Sequence, residues 1–145
     1  MANPLNILLI EDNDVDVDMV RRGLKKIKAE GALVRARDGQ EALEILLQQP
    51  LEDQLAHPFV VLLDINMPRM NGHEFLYCLR QDPRISDTRV IVFTTSDNPK
   101  DVARAYDQNA VGYFVKPDTS RELRAALQTI WDFWDRCTHP PRKAF

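Results

Sequence analysis

The sequence predicts an α/β domain, a doubly wound parallel sheet of five strands with helices on both faces, and three observations carry that prediction. First, Ile7-Leu8-Leu9-Ile10, Phe59-Val60-Val61-Leu62-Leu63 and Val90-Ile91-Val92-Phe93 are unbroken apolar runs. A strand buried on both faces reads this way, whereas one with a wet face alternates. Second, the intervening segments switch to a helical period: Val17, Val20, Leu24 and Ile27 share one face, and Ala42, Leu43, Leu46 and Leu47 share another. Third, strand and helix patterns alternate, as they must where each parallel strand needs a crossover to return the chain.

Taken in order, the first strand ends in Glu11-Asp12 and leads into the helix of Val17 to Ile27. Leu33-Val34-Arg35-Ala36 is a weaker strand, followed by the helix around Ala42 to Leu47. Gln48 to Pro58, with Pro50 and His57, reads as a long loop before the central strand, which ends in Asp64. A helix over Gly72 to Leu79 precedes the fourth strand, closed by Thr94-Thr95, and a helix over Lys100 to Gln108 precedes Gly112-Tyr113-Phe114-Val115. Lys116-Pro117 ends that fifth strand; Thr119 or Ser120 caps a last helix running through Leu123, Leu127, Ile130 and Trp134. Thr138 to Phe145, with Pro140-Pro141, reads as an extended or disordered arm, so the domain is expected over 1–137 and the tail over 138–145.

The 145 residues suffice for one core of ordinary size. A net charge of −3 supplies no basic field for a phosphate backbone, which argues against nucleic acid as a partner. No apolar run approaches a membrane span, and Met1 to Leu5 lack the features of a secretory signal, so a cytoplasmic location is expected. Cys78 and Cys137, without a C-x-x-C pair or a histidine at ligand spacing, read as reduced structural residues. His57 and His73 read as surface residues, and Pro68 and Gly72 as residues shaping the loop after Asp64.

In such a sheet the chemistry belongs at the carboxyl ends of the strands, and the topology brings Glu11, Asp12 and Asp64 to that edge. Crowded carboxylates repel, and a hard divalent cation with oxygen preference, Mg²⁺ above all, relieves them. Acids at strand ends and helix starts are also common as solvated groups, favoured by the helix dipole, so Glu11-Asp12 alone decide nothing. Their company does. A carboxylate nucleophile, neighbouring acids for a metal, the Thr94 hydroxyl and the Lys116 ammonium form a set able to move a phosphoryl group onto Asp64.

Ile10-Glu11-Asp12, Asp38-Gly39-Gln40-Glu41-Ala42-Leu43, Asp64-Ile65-Asn66-Met67-Pro68-Arg69-Met70-Asn71-Gly72, Thr94-Thr95-Ser96 and Gly112-Tyr113-Phe114-Val115-Lys116-Pro117 resemble the receiver domain of bacterial response regulators over roughly Asn6 to Trp134. The spacings, 30 residues from Asp64 to Thr94 and 22 from Thr94 to Lys116, agree with the resemblance. It implies a flavodoxin-like sheet of order 2-1-3-4-5, a signalling protein and not an enzyme, and the phosphoacceptor role for Asp64. It further implies Mg²⁺ held by Asp12, by Asp64, by Glu11 largely through water, and by the Asn66 backbone carbonyl. Thr94 and Tyr113 become the switch pair, Tyr113 swinging inward as Thr94 moves toward the phosphoryl group, and Lys116-Pro117 matches the family's cis peptide. The chain departs from the family at Asn109-Ala110, where Gly-Ala is usual, and at Asp118, usually apolar. Asparagine is the next best residue for a left-handed helix end.

About ten residues follow the last helix, so the signal is expected to pass through contacts. Trp131, Phe133 and Trp134 cannot all face the core from one helix, which points to a homodimer built on that helix and the tail; the other reading is a capped helix end covering its own core. The long loop before the central strand, the double threonine and the tryptophan-bearing C-terminus are similar to stand-alone regulators of phytochrome kinases. That likeness implies a light-regulated histidine kinase as donor and a histidine phosphotransfer protein as a further acceptor. Two other readings fit the sequence less well. A haloacid-dehalogenase-like phosphohydrolase would need an acid two residues after the nucleophile, where this chain has Asn66. A degenerate receiver acting as a scaffold would not need Glu11, Asp12, Asp64, Thr94 and Lys116 all intact.

Overall fold

The computed structural model describes residues 4–48 and 54–141. Its elements alternate throughout: β1 (Asn6–Ile10), α1 (Asp14–Lys26), β2 (Leu33–Ala36), α2 (Gly39–Leu47), β3 (Phe59–Leu63), α3 (Gly72–Gln81), β4 (Val90–Thr94), α4 (Pro99–Asp107), β5 (Gly112–Val115) and α5 (Ser120–Arg136). The strands form one parallel sheet in the order β2-β1-β3-β4-β5, as expected.

Alternate strand residues feed two separate cores, which is why β1, β3 and β4 are apolar except at the ends, where Asn6 opens β1 and Thr94 closes β4. Ile7, Leu9, Val60, Leu62, Ile91 and Phe93 meet α1 and α5 through Val17, Val20, Leu123, Leu127 and Ile130. Leu8, Ile10, Val61, Leu63, Val90 and Val92 meet α2, α3 and α4 through Ala42, Leu46, Phe75, Leu76, Leu79 and Ala105. Burying a strand on both faces gains roughly 25 cal/mol per Å² of apolar surface on each.

Every helix is started by a side chain that accepts a first-turn amide: Asn13 for α1, Asp38 for α2, Asn71 for α3, Asn98 for α4 and Thr119 for α5. Asn71 and Glu74 complete a capping box. Asn109 closes α4 at φ 61°, the left-handed position foreseen for it. At Gly23 the α1–α5 contact is so tight that a Cβ would come within 2.6 Å of Leu127.

Several expectations need correction. Trp134 cannot make the dimer contact expected of it: it is 1% exposed, lies on the α5 stripe foreseen with Leu123, Leu127 and Ile130, and donates its indole N–H to the Pro4 carbonyl at 3.0 Å. The i, i+4, i+7, i+11 spacing of those four residues puts it inside. Phe133 is the aromatic that leaves the stripe, at 51% exposure, while Trp131 is half-buried against the core. His73 is buried and not a surface residue, because it sits one position into α3 with its ring turned toward Asp101. The peptide before Pro117 is not cis; among the described residues the cis bond is His57–Pro58. Lys116 is aimed instead by the sheet ladder, its amide donating to the Thr94 carbonyl at 2.7 Å.

The tail residues Thr138 to Pro141 have no regular structure but fold back on the body. His139 bridges the Arg89 guanidinium and the Trp134 carbonyl, each at 3.0 Å, and Arg89 lies 4.5 Å over the Trp134 ring. Residues 142–145 of the expected arm, and Pro50 of the expected loop, lie outside the described residues. Within that loop Leu55 is fully buried, and Asn6 ties it down by donating to the Ala56 and Pro58 carbonyls while accepting from the Ala32 amide.

Candidate functional site

The sheet register sets the site. Ile10 lies opposite Leu63, and Thr94 opposite Val115, so the residues following β1, β3 and β5 emerge side by side with the end of β4. The ladder continues one step further, with the Glu11 amide donating to the Ala36 carbonyl and the Asp64 amide to that of Ile10, both at 3.0 Å. Glu11 and Asp64 are thereby held on backbone that cannot drift, and both are buried, while Asp12 is exposed.

Carboxylate oxygens of Glu11, Asp12 and Asp64 lie within 4.8 Å of one another. Lys116 answers them: its ammonium donates to Glu11 Oε1 and to Asp16 Oδ2, the latter at 2.9 Å, and lies 3.6 Å from Asp64 Oδ2. The Thr94 hydroxyl donates to Asp64 Oδ1 at 2.7 Å, and the Asn66 amide faces the same oxygen at 3.4 Å. Three acids, Glu11, Asp16 and Asp64, thus converge on one ammonium, with the Asp12 carboxylate beside two of them. Oxygen donors in this excess suit a hard divalent cation, whose charge would offset the remaining repulsion.

The electrostatics follow the geometry. Burial pushes the Glu11 carboxyl up to about 7, with the Asp64 charge adding to the rise and the Lys116 hydrogen bond opposing it. Burial alone would lower the Lys116 ammonium. Its hydrogen bond to Glu11 and the field of Asp64 outweigh that and hold it above its ordinary value.

Of the residues expected at the site, Glu11, Asp12, Asp64, Asn66, Thr94 and Lys116 are brought together. Tyr113 lies one step away, half-buried against the core, its hydroxyl donating to the Ser96 carbonyl at 2.8 Å. Trp131, Phe133 and Trp134 belong to α5 and play no part in the acidic cluster.

Two participants went unnoticed in the sequence. Asp16 was hidden because an acid in a first helical turn already has a sufficient reason to be there. Arg35 had a visible signal, a lone cation in an apolar strand: its guanidinium donates to the Glu11 carbonyl at 2.8 Å and the Asp12 carbonyl at 3.1 Å, and pairs with Asp14 at 2.8 Å. It braces the loop that carries the acids.

The family model of the response regulator receiver domain matches residues 7–128. This chain belongs to that family. As a receiver it is a member of a family of signalling domains. It is 34% identical over 131 residues to response regulator Rcp1 of Synechocystis, covering 90% of this chain and 89% of that protein. The crystal structure of the phosphorylated cyanobacterial phytochrome response regulator RcpA matches with a TM-score of 0.83 at 29% identity, covering 97% of this chain and all of that one. The Mn²⁺-bound form of Rcp1 matches with a TM-score of 0.78 at 33% identity, covering 94% and 98% of the two chains. The receiver is thus homologous to phytochrome response regulators. No helix among its described residues is long and apolar enough to cross a membrane.

Proposed function

We propose that this receiver accepts a phosphoryl group on Asp64 from the phosphohistidine of a sensor histidine kinase. The observation that carries the reading is the buried Asp64 carboxylate, held by the Thr94 hydroxyl at 2.7 Å and faced by the Lys116 ammonium at 3.6 Å. In the transfer a carboxylate oxygen of Asp64 bonds to phosphorus as the bond from phosphorus to the donor's histidine nitrogen breaks, and an acyl phosphate results. Lys116 supplies a fixed positive charge to the phosphoryl oxygens, and Thr94 keeps the carboxylate oriented and offers its hydroxyl to the new group. Glu11, Asp12 and Asp64, with the Asn66 backbone carbonyl, would hold Mg²⁺, which when bound neutralises phosphoryl charge; the clustering of the three carboxylates and the existence of a Mn²⁺-bound form of Rcp1 support a divalent ion here.

The kinase partner we assign is a phytochrome-type light sensor, on the likeness to Rcp1 and RcpA. A histidine phosphotransfer protein is the further acceptor. The output face comprises α4, β5 and α5, where Tyr106, Val111, Val115 and Phe133 are large exposed apolar residues. The homodimer is assigned to α5 and the tail, with Phe133 and Trp131 and without the buried Trp134. The setting is cytoplasmic.

The test is intact mass after incubation with Mg²⁺ and acetyl phosphate. Wild type is expected to gain about 80 Da, one phosphoryl group, and Asp64→Asn to gain nothing. Equal labelling of both would overturn the assignment of Asp64.

A further inference from the structure

Ser96, on the loop between β4 and α4, is a junction. Its amide faces the Thr94 hydroxyl at 3.5 Å, its carbonyl accepts from Tyr113, and its own hydroxyl donates to Asp101 Oδ2 at 2.5 Å. Asp101 stands in the first turn of α4, and its other oxygen, Oδ1, is bound by His73 Nε2 at 2.9 Å. The path is continuous: Asp64, Thr94, Ser96 with Tyr113, Asp101, His73. It ends in a buried side chain of α3, an element the phosphoryl chemistry does not otherwise use.

The far end of α4 is held by the same helix. Arg80, seven residues beyond His73, donates to the Gln108 carbonyl at 2.7 Å and the Asn109 carbonyl at 3.2 Å, and also to those of Ser86 and Thr88. α3 therefore grips α4 at both ends, but the two grips differ in reach. The Arg80 clamp meets backbone carbonyls remote from the acidic cluster, whereas the His73 latch meets the carboxylate that fixes Ser96. The hydrogen bond from Ser96, and then that from His73, hold the Asp101 carboxyl below its ordinary range, so the latch engages it as an anion.

We propose that His73 is a positioning residue of the switch: through Asp101 and Ser96 it fixes the arrangement in which Thr94 addresses Asp64 and Tyr113 addresses Ser96, and so sets how tightly the phosphoryl state is held. The inference rests on the proposed acceptance of a phosphoryl group at Asp64. A ligand can shift such an arrangement only by its differential affinity for it, so loosening the latch lowers the apparent affinity for a phosphoryl mimic by the fraction of molecules left misaligned.

The experiment is titration of the whole chain with beryllofluoride in saturating Mg²⁺, followed by the amide resonances of Thr94, Ser96 and Tyr113, with Mg²⁺ affinity measured separately. His73→Ala and Asp101→Asn are expected to raise the beryllofluoride concentration at half-saturation about fivefold or more with Mg²⁺ affinity unchanged, as loss of a hydrogen bond to a charged group allows. His73→Gln, which keeps an N–H donor, is expected to recover most of the affinity. Arg80→Gln, which loosens α4 without touching the path, is expected to lower the unfolding temperature and leave half-saturation in place. Wild-type affinity in Asp101→Asn, the less buried of the two partners, would overturn the latch while leaving Asp64 as acceptor. An equal loss in Arg80→Gln would reduce His73 to a structural contact. Failure of wild type to bind beryllofluoride would remove both the acceptor reading and the latch that rests on it.

Discussion

The two ends of the same sheet are built on opposite principles. At the carboxyl end, Glu11, Asp16 and Asp64 meet at Lys116 and Asp12 joins the carboxylate cluster, so like charges are concentrated and incompletely offset. At the amino end the described residues complete one another: Asn6 makes three hydrogen bonds, Leu55 fills the core, and Trp134 packs with Pro4, Arg89 and His139. The strands are rigid and common to both ends. What differs is whether the residues leaving them complete one another or await something else, and a site that must take up and release a charged group is of the second kind.

That contrast can be broken most sharply at the amino end. Trp134→Ala is expected to cost about 3–5 kcal/mol in urea unfolding, as for a large aromatic removed from a core, while the folded fraction still labels with acetyl phosphate at the wild-type rate. A slowed rate would mean the two ends are coupled. At the other end, Lys116→Ala leaves buried Glu11 facing Asp64 unrelieved, and a loss of about 2–4 kcal/mol is expected without metal, most of it regained in saturating Mg²⁺. A loss indifferent to Mg²⁺ would show that Lys116 acts through packing.

A third probe is pH. Glu11, raised from 4.5 to about 7 in the fold, binds its proton more tightly folded than unfolded. Between those values the folded chain carries more protons, so metal-free stability is expected to fall as pH rises from 4.5 to 7. Mg²⁺ should flatten the slope by favouring the ionised carboxylate, and Glu11→Gln should remove it; thermal unfolding across that interval with and without metal is the measurement. The smallest effect is expected on the outer surface. Phe133→Ser should change stability by less than about 0.5 kcal/mol but weaken self-association in sedimentation, and an unchanged oligomer would exclude α5 as the contact.

Much of this was legible in the sequence, for reasons that are themselves physical. The strands announce themselves because parallel strands covered on both faces need unbroken apolar runs, and their ends because polar residues interrupt those runs abruptly at Glu11, Asp64 and Thr94. The acidic cluster then follows from topology. The burial of His73 was not legible, because it depends on a partner 28 residues away on another helix. For Trp134 the helical period of its own stripe placed it inside, as found; what failed was the further assignment of the same ring to a dimer contact, which its burial leaves no surface to make. The Lys116–Pro117 peptide was assigned from the family pattern, and the family pattern did not hold.

The seating of Trp134 also makes the molecule its own optical probe. The chain has two tryptophans, and among the described residues Trp134 packs against both a guanidinium and an imidazole, with the His139 ring centroid 4.2 Å from its own. With a guanidinium and an imidazole packed against the indole, lifting the tail away would alter the Trp134 emission, against which that of Trp131 serves as the comparison. Whether the C-terminal segment is seated is thus written in the colour and intensity of the native fluorescence, with no label attached.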